Sequence, residues 1–198
     1  MGGKMGILGA LKELIRDKWA LEKEQVESLL QLSPEDRNTG IGAILHDTCV
    51  RNAAGFVQQE LGKEDSPFRS LNKTDFFHEI LILNFWMVDK LFRKEAMLDA
   101  VCRTYSTAFD WGPEFCREEL LKSISEKHGH YTATWSDETG FQNVFGEKVT
   151  EILFGRKEGI RVHESSYWII SYTDKTLKGL TQIKKHIKKA KGITTGRN

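Results

Sequence analysis

TDFFHEILILNFWMVDKLFR, residues 74–93, is the stretch on which the fold of this chain turns. On a helix of about 100° per residue its twelve apolar residues cover most of the circumference, the pattern of a helix buried inside a large domain. No unbroken apolar run in it exceeds four residues, and His78, Glu79, Asn84, Asp89 and Lys90 interrupt it, so it does not read as a membrane span. Asp75, His78, Glu79, Asp89, Lys90 and Arg93 fall on one narrow polar stripe. Asn84 lands on the other side, among Ile80, Met87, Val88 and Leu91, where an amide needs hydrogen-bond partners.

The flanking sequence supplies more helices. From Ile7 to Leu32 apolar residues recur at helical spacing on one side, with charged residues on the other. Ser33-Pro34 then stops that helix, a pairing that can also cap the next one, and the polar segment to Thr39 reads as a turn. Gly40 to Leu61 predicts a second helix, with Leu45, Cys49, Ala53 and Phe56 inward and Gly62 at its end. The loop over 63–72 holds Pro67, and Asn72 to Thr74 supplies caps for the central helix. From Thr74 to Trp111 there is no Gly or Pro, yet an unbroken helix of that span would be about 57 Å long. A break near Arg93–Glu95 is expected.

Gly112-Pro113 opens the next helix. His128 to Gly140, HGHYTATWSDETG, predicts irregular structure; its alternating Tyr131, Ala133 and Trp135 suit a short strand that has no partner. Ser136 is placed to cap a helix whose face of Val144, Phe145, Val149, Ile152 and Leu153 ends at Gly155. A basic helix over about 165–191 and a short tail complete the chain. Six or seven helices around a central buried one at about 74–93, with no sheet and no repeat, predict an all-α bundle, a single domain over 1–198.

The formal net charge of +1 conceals an asymmetry. All 28 acidic residues lie at or before Asp174, against 21 basic ones in that span, whereas residues 175–198 carry seven Lys and one Arg. The chain is electrostatically two-faced. Cys49, Cys102 and Cys116 are isolated and lack CxxC spacing, which with no leader pattern at the N-terminus reads as a cytoplasmic protein with reduced thiols. A glycine-rich phosphate loop, a Gly-x-Ser-x-Gly elbow, His-Glu-x-x-His and zinc-type cysteine pairs are all missing from the sequence.

Four groups of residues bear on function. His46, Asp75, His78 and Glu79 are the candidate metal or acid/base cluster, because Asp75-x-x-His78 puts a carboxylate and an imidazole on one helical face as bundle metal sites do. A di-iron site needs more such pairs, so the plainer reading is the solvated edge of a buried helix. His128 and His130 are two imidazoles that need an Asp or Glu from another element to form a site. Asn84, Phe85 and Trp86 are the candidate lining of a ligand pocket in the bundle interior, for an apolar small molecule. Lys178, Lys184, Lys185, Lys188 and Lys189 form a basic face.

With no Arg before Arg197 and no aromatic after Tyr172, that face argues against a sequence-reading nucleic-acid helix. An acidic protein, or a second copy of the chain in a homo-oligomer, fits it better. The expectation is a regulatory or adaptor-type protein that binds rather than catalyses, associating through its basic helix and acidic body. A metal- or cofactor-dependent helical enzyme using the His/carboxylate cluster is the competing class, and no particular cofactor is indicated.

Overall fold

The computed structural model describes residues 28–29, 31–93, 97–108, 117–136, 142–155 and 159–195. The amphipathic segment expected over Ile7 to Leu32 lies almost wholly outside them, as do the Gly112-Pro113 helix start and Cys116. The fold is all-α, with no strand among the described residues. The helices are α1 (Pro34–Leu61), α2 (Lys73–Phe92), α3 (Met97–Ala108), α4 (Arg117–Thr134), α5 (Asn143–Phe154) and α6 (Gly159–Thr195). None of them is long and apolar enough to cross a membrane.

Helix α2 touches each of the other five, and every residue from Ile80 to Val88 is buried. Its first turn is fixed by Asn72, whose Oδ1 accepts from the backbone N–H of Thr74 (2.9 Å) and Asp75 (3.2 Å). The break expected near Arg93–Glu95 falls between α2 and α3, although residues 94–96 themselves are outside the described set.

Three boundaries differ from the sequence reading. Helix α1 begins at Pro34, so the segment to Thr39 is helical and not a turn. The Ser33 hydroxyl accepts from Asp36 N–H (3.2 Å) and donates to the Asp36 carboxylate (2.7 Å), while Pro34 takes the first helical position, where its missing N–H costs nothing. Helix α4 runs through His128, Gly129 and His130 to Thr134, so this is neither loop nor strand. Ile124, His128, Tyr131 and Trp135 recur at helical intervals, and Tyr131 is fully buried; that face holds the helix together across Gly129. Helix α6 starts at Gly159, before the expected 165, with Val162, Ser165 and Ser166 already buried.

Smaller corrections concern α5. Ser136 does not cap it: the N-cap position is Gln142, whose side chain clasps the Ser136 backbone through both its N–H and its carbonyl. Val144 points to solvent, while Phe145 and Val149 are buried. Gly155 terminates the helix in the left-handed region at φ 65°, which glycine adopts without strain.

Two glycines let helices approach closely. A Cβ on Gly42 would lie 2.6 Å from the Ala100 Cβ and 2.9 Å from its carbonyl carbon, where α1 crosses α3. One on Gly146 would lie 2.8 Å from the Ser166 carbonyl oxygen, where α5 crosses α6. Because the obstacle is backbone, Gly146→Val should force these helices apart and cost about 1–3 kcal/mol. Urea unfolding would show this as a lower midpoint; an unchanged midpoint would mean the crossing is looser than described.

Candidate functional site

A groove of about 440 Å³ opens between α1 and α6. Helix α1 contributes Thr48, Arg51, Asn52, Gly55, Phe56 and Gln59, and α6 contributes Trp168, Ser171, Tyr172, Lys175 and Thr176. The Phe56 and Tyr172 rings make its floor, with centroids 4.3 Å apart. At one end the buried Glu60 carboxylate accepts from Lys63 (2.7 Å) and from the Ser66 hydroxyl (3.0 Å), and Lys63 also lies over the Trp168 ring at 4.4 Å. Arg51 pairs with Asp47 at 2.8 Å, whereas Lys175 is exposed with no ion-pair partner among the described residues.

Beneath the floor lies Asn84, fully buried on α2. Its amide N–H donates to the Cys49 carbonyl of α1 (2.8 Å), and its carbonyl accepts from the Tyr172 hydroxyl of α6 (2.8 Å). The polar residue isolated on the apolar side of the central helix thus ties three helices together. Burial pushes the Tyr172 phenol well above its ordinary pKa, so it remains a donor at neutral pH. Phe85 and Trp86 are equally buried, packed against Tyr105 and against Tyr131, Trp135 and Phe145 respectively. Asn84 and Phe85 line neither the α1–α6 groove nor the smaller clefts, whereas Trp86 lines a cleft of about 270 Å³ together with Lys90, Arg93, Thr132 and Trp135.

Of the candidate metal residues, His46 is on α1, while Asp75, His78 and Glu79 share the first two turns of α2. His46 packs beside the Phe85 and Tyr105 rings (centroids 6.5 and 5.7 Å), and burial lowers its pKa against a smaller opposing pull from Asp47. Asp75 is exposed in the first turn of α2. Half-buried His78 is also lowered by burial, with Asp75 and Glu79 opposing, and Glu79 is engaged by Lys127 of α4. Among the described residues no three His, Cys, Asp or Glu side chains form a group that could hold a metal. Cys49 and Cys102 are buried without a disulfide, and burial raises the Cys49 thiol pKa far above its ordinary value.

His128 does receive a carboxylate from another element. Its Nε2 is 2.6 Å from Asp89 Oδ2 of α2, its Nδ1 is 3.3 Å from Thr132 Oγ1, and Trp86 Nε1–H donates to that same hydroxyl (3.2 Å). This carboxylate–imidazole–hydroxyl–indole chain fastens α4 to α2. His130 takes no part in it and is exposed. Two residues apart on a helix the two histidines point to different sides, which is why they act separately.

The lysines divide by role. Lys178, Lys185 and Lys188 are exposed on α6, Lys178 pairing with Asp174 at 2.6 Å. Lys184 turns inward: its ammonium donates to the Leu91 carbonyl and lies over the Phe92 ring at 5.2 Å. That places a cation on the unpaired carbonyls at the C-terminal end of α2, the favourable end of its dipole. Lys189 is on α6, but its side chain lies outside what is described. Beside Lys188 a cleft of about 250 Å³ is lined by Asn38, Ile41, Phe92, Met97, Lys184 and Ile187.

The α1–α6 groove and the cleft beside Lys188 were not foreseen from the sequence. Both are gaps between helices distant in the chain. The local signals were Gly55 and Gly179, helix-interior glycines that both line the groove. No family model matches this chain, and neither a curated protein nor a solved structure matches it.

Proposed function

We propose that this protein works by recognition: the exposed lysines of α6 attract an acidic, amphipathic helix of a partner protein, which then seats an apolar side chain in the neighbouring cleft. The observation that carries the reading is the position of Lys188, which lies both on the lysine face and in the lining of a cleft walled by Ile41, Phe92, Met97 and Ile187. Charge supplies range and orientation, and the apolar seat supplies residence time. The pairing of Lys178 with Asp174 does not conflict with this, because exposed ion pairs one helical turn apart are weak and exchange readily. Lys184, committed to the end of α2, supports the cleft wall and is not a contact for the partner.

The acidic body of the chain and the basic character of residues 175–198 are consistent with one orientation of approach. A labelled synthetic helix with Glu and Leu at helical spacing serves as the probe. Lys185→Glu/Lys188→Glu should weaken its binding by roughly tenfold or more, as expected when attraction at two sites becomes repulsion, while leaving the unfolding midpoint in place. Binding that does not change in this variant would remove the lysine face from the account.

A further inference from the structure

Ser28 and Leu29 are helical and stand at the end of the amphipathic segment read from Ile7 to Leu32. The Gln31 and Leu32 N–H groups donate to the Ser28 and Leu29 carbonyls (3.3 and 3.1 Å), and the Arg37 guanidinium donates to the Leu32 carbonyl (3.0 Å). The chain therefore turns here and is held to the start of α1. Leu29 packs against the core, and a Cβ on Gly40 would overlap its side chain. A helix that ends at Leu29 and meets α1 at Pro34 forms a helical hairpin with it, and Leu29 on Gly40 sets where that hairpin closes.

The side of α1 that carries Gly40 leads into the α1–α6 groove. Gly40, Ile44, Thr48, Arg51, Gly55 and Gln59 recur along it at helical spacing, and the last four line the groove. Equal steps away from the Leu29–Gly40 contact, taken in antiparallel directions, bring Trp19 beside Arg51 and Ile15 beside Gly55 to within about one residue. The lengths agree as well. Leu8 to Leu29 is about 32 Å of helix and Gly40 to Gln59 about 28 Å, so the segment is long enough to cover the groove from end to end.

The chemistry matches the register. At about 100° per residue Leu8, Leu11, Ile15, Trp19, Val26 and Leu29 share one face, and Glu22 is the one acidic residue among them. The groove has an apolar floor of Phe56 and Tyr172, and Arg51 and Lys175 on its two walls. Its own carboxylate, Glu60, is already engaged by Lys63 and Ser66. We propose that the α1–α6 groove is the docking site of the chain's own amphipathic segment, which lies antiparallel to α1 with Ile15 and Trp19 over the groove and Glu22 toward Arg51 and Lys175.

Cysteine cross-linking on the full chain tests the register. Ile15→Cys/Gly55→Cys is compared with Ile15→Cys/Gly129→Cys, because Gly129 on α4 likewise has room for a Cβ but lies outside the groove. Under mild oxidation, with the disulfide located by peptide mapping, the first pair should close within one chain roughly tenfold or more faster than the second. In the Ile15→Cys/Gly55→Cys protein, adding Trp19→Asp should slow closure by roughly tenfold, since it places a charge against the apolar floor. Glu22→Lys should slow it by roughly threefold, a difference that added salt removes. Lys185→Glu/Lys188→Glu should leave the rate as it was, which keeps this test apart from that of the lysine face. The proposal is overturned if the two pairs close equally fast, if the disulfide joins two chains, which would make a second copy the occupant, if Trp19→Asp and Glu22→Lys both leave the rate unchanged, or if the lysine variant lowers it.

Discussion

Asn84→Leu should lower the unfolding free energy by about 2–4 kcal/mol, because two buried hydrogen bonds are lost and the Tyr172 hydroxyl is left without its Asn84 partner. Tyr172→Phe alone should cost about 1–3 kcal/mol for the complementary reason, an amide carbonyl left unsatisfied in the core. The combination is the informative variant. With both partners made apolar there is little polar desolvation left uncompensated, so the double change should cost less than the sum of the single ones, with a coupling of about 0.5–3 kcal/mol. Urea unfolding of the four proteins in the cycle measures it. Strict additivity would mean that Asn84 and Tyr172 do not act as a pair, and the rigid groove floor would lose its basis.

Trp86→Ala should be the most damaging single truncation, costing about 3–5 kcal/mol, in line with removal of a fully packed aromatic side chain. Its indole lies within 5.8 Å, centroid to centroid, of the Tyr131, Trp135 and Phe145 rings, and its N–H reaches Thr132. The damage should therefore be uneven. Helix α4 meets α2 through this cluster and the Asp89–His128 contact, so amide exchange should accelerate first in α4 and later in α1, which is tied to α2 through Asn84. Equal acceleration in both helices would contradict that division. A cost under about 1 kcal/mol would show that the indole is less tightly enclosed than its surroundings indicate.

How far these features were legible in the sequence depends on the distance over which each is determined. The all-α class and the buried character of residues 80–88 follow from periodicity, a local property, and the structure has both. Asn84 could be singled out as a buried amide in need of partners, but those partners lie on α1 and α6, and no local pattern names them. The segment HGHYTATW misled for a different reason. Over a few residues an alternating pattern and a helical one share many positions, and burial of Tyr131 against Trp86 decides for helix. At Ser33-Pro34 both stop and start signals were present, and the Ser33 cap on the Asp36 N–H resolves them as a start. The groove was beyond sequence reasoning, because it is an unfilled space between helices whose lining residues are more than a hundred positions apart in the chain.

Division of the lysines into one structural cation and an exposed face also required coordinates. Lys184 and Lys185 are neighbours in sequence, yet one caps α2 while the other faces water. The account of function depends on that face as a place and not as mere excess charge. Equilibrium titration of the acidic helical probe should therefore compare Lys185→Glu/Lys188→Glu with Lys73→Glu/Lys122→Glu, a pair of exposed lysines elsewhere that changes net charge by the same amount. The account predicts that the first variant loses roughly tenfold or more in affinity while the second stays within about twofold of the parent protein. Equal loss in both, or loss in neither, would contradict it.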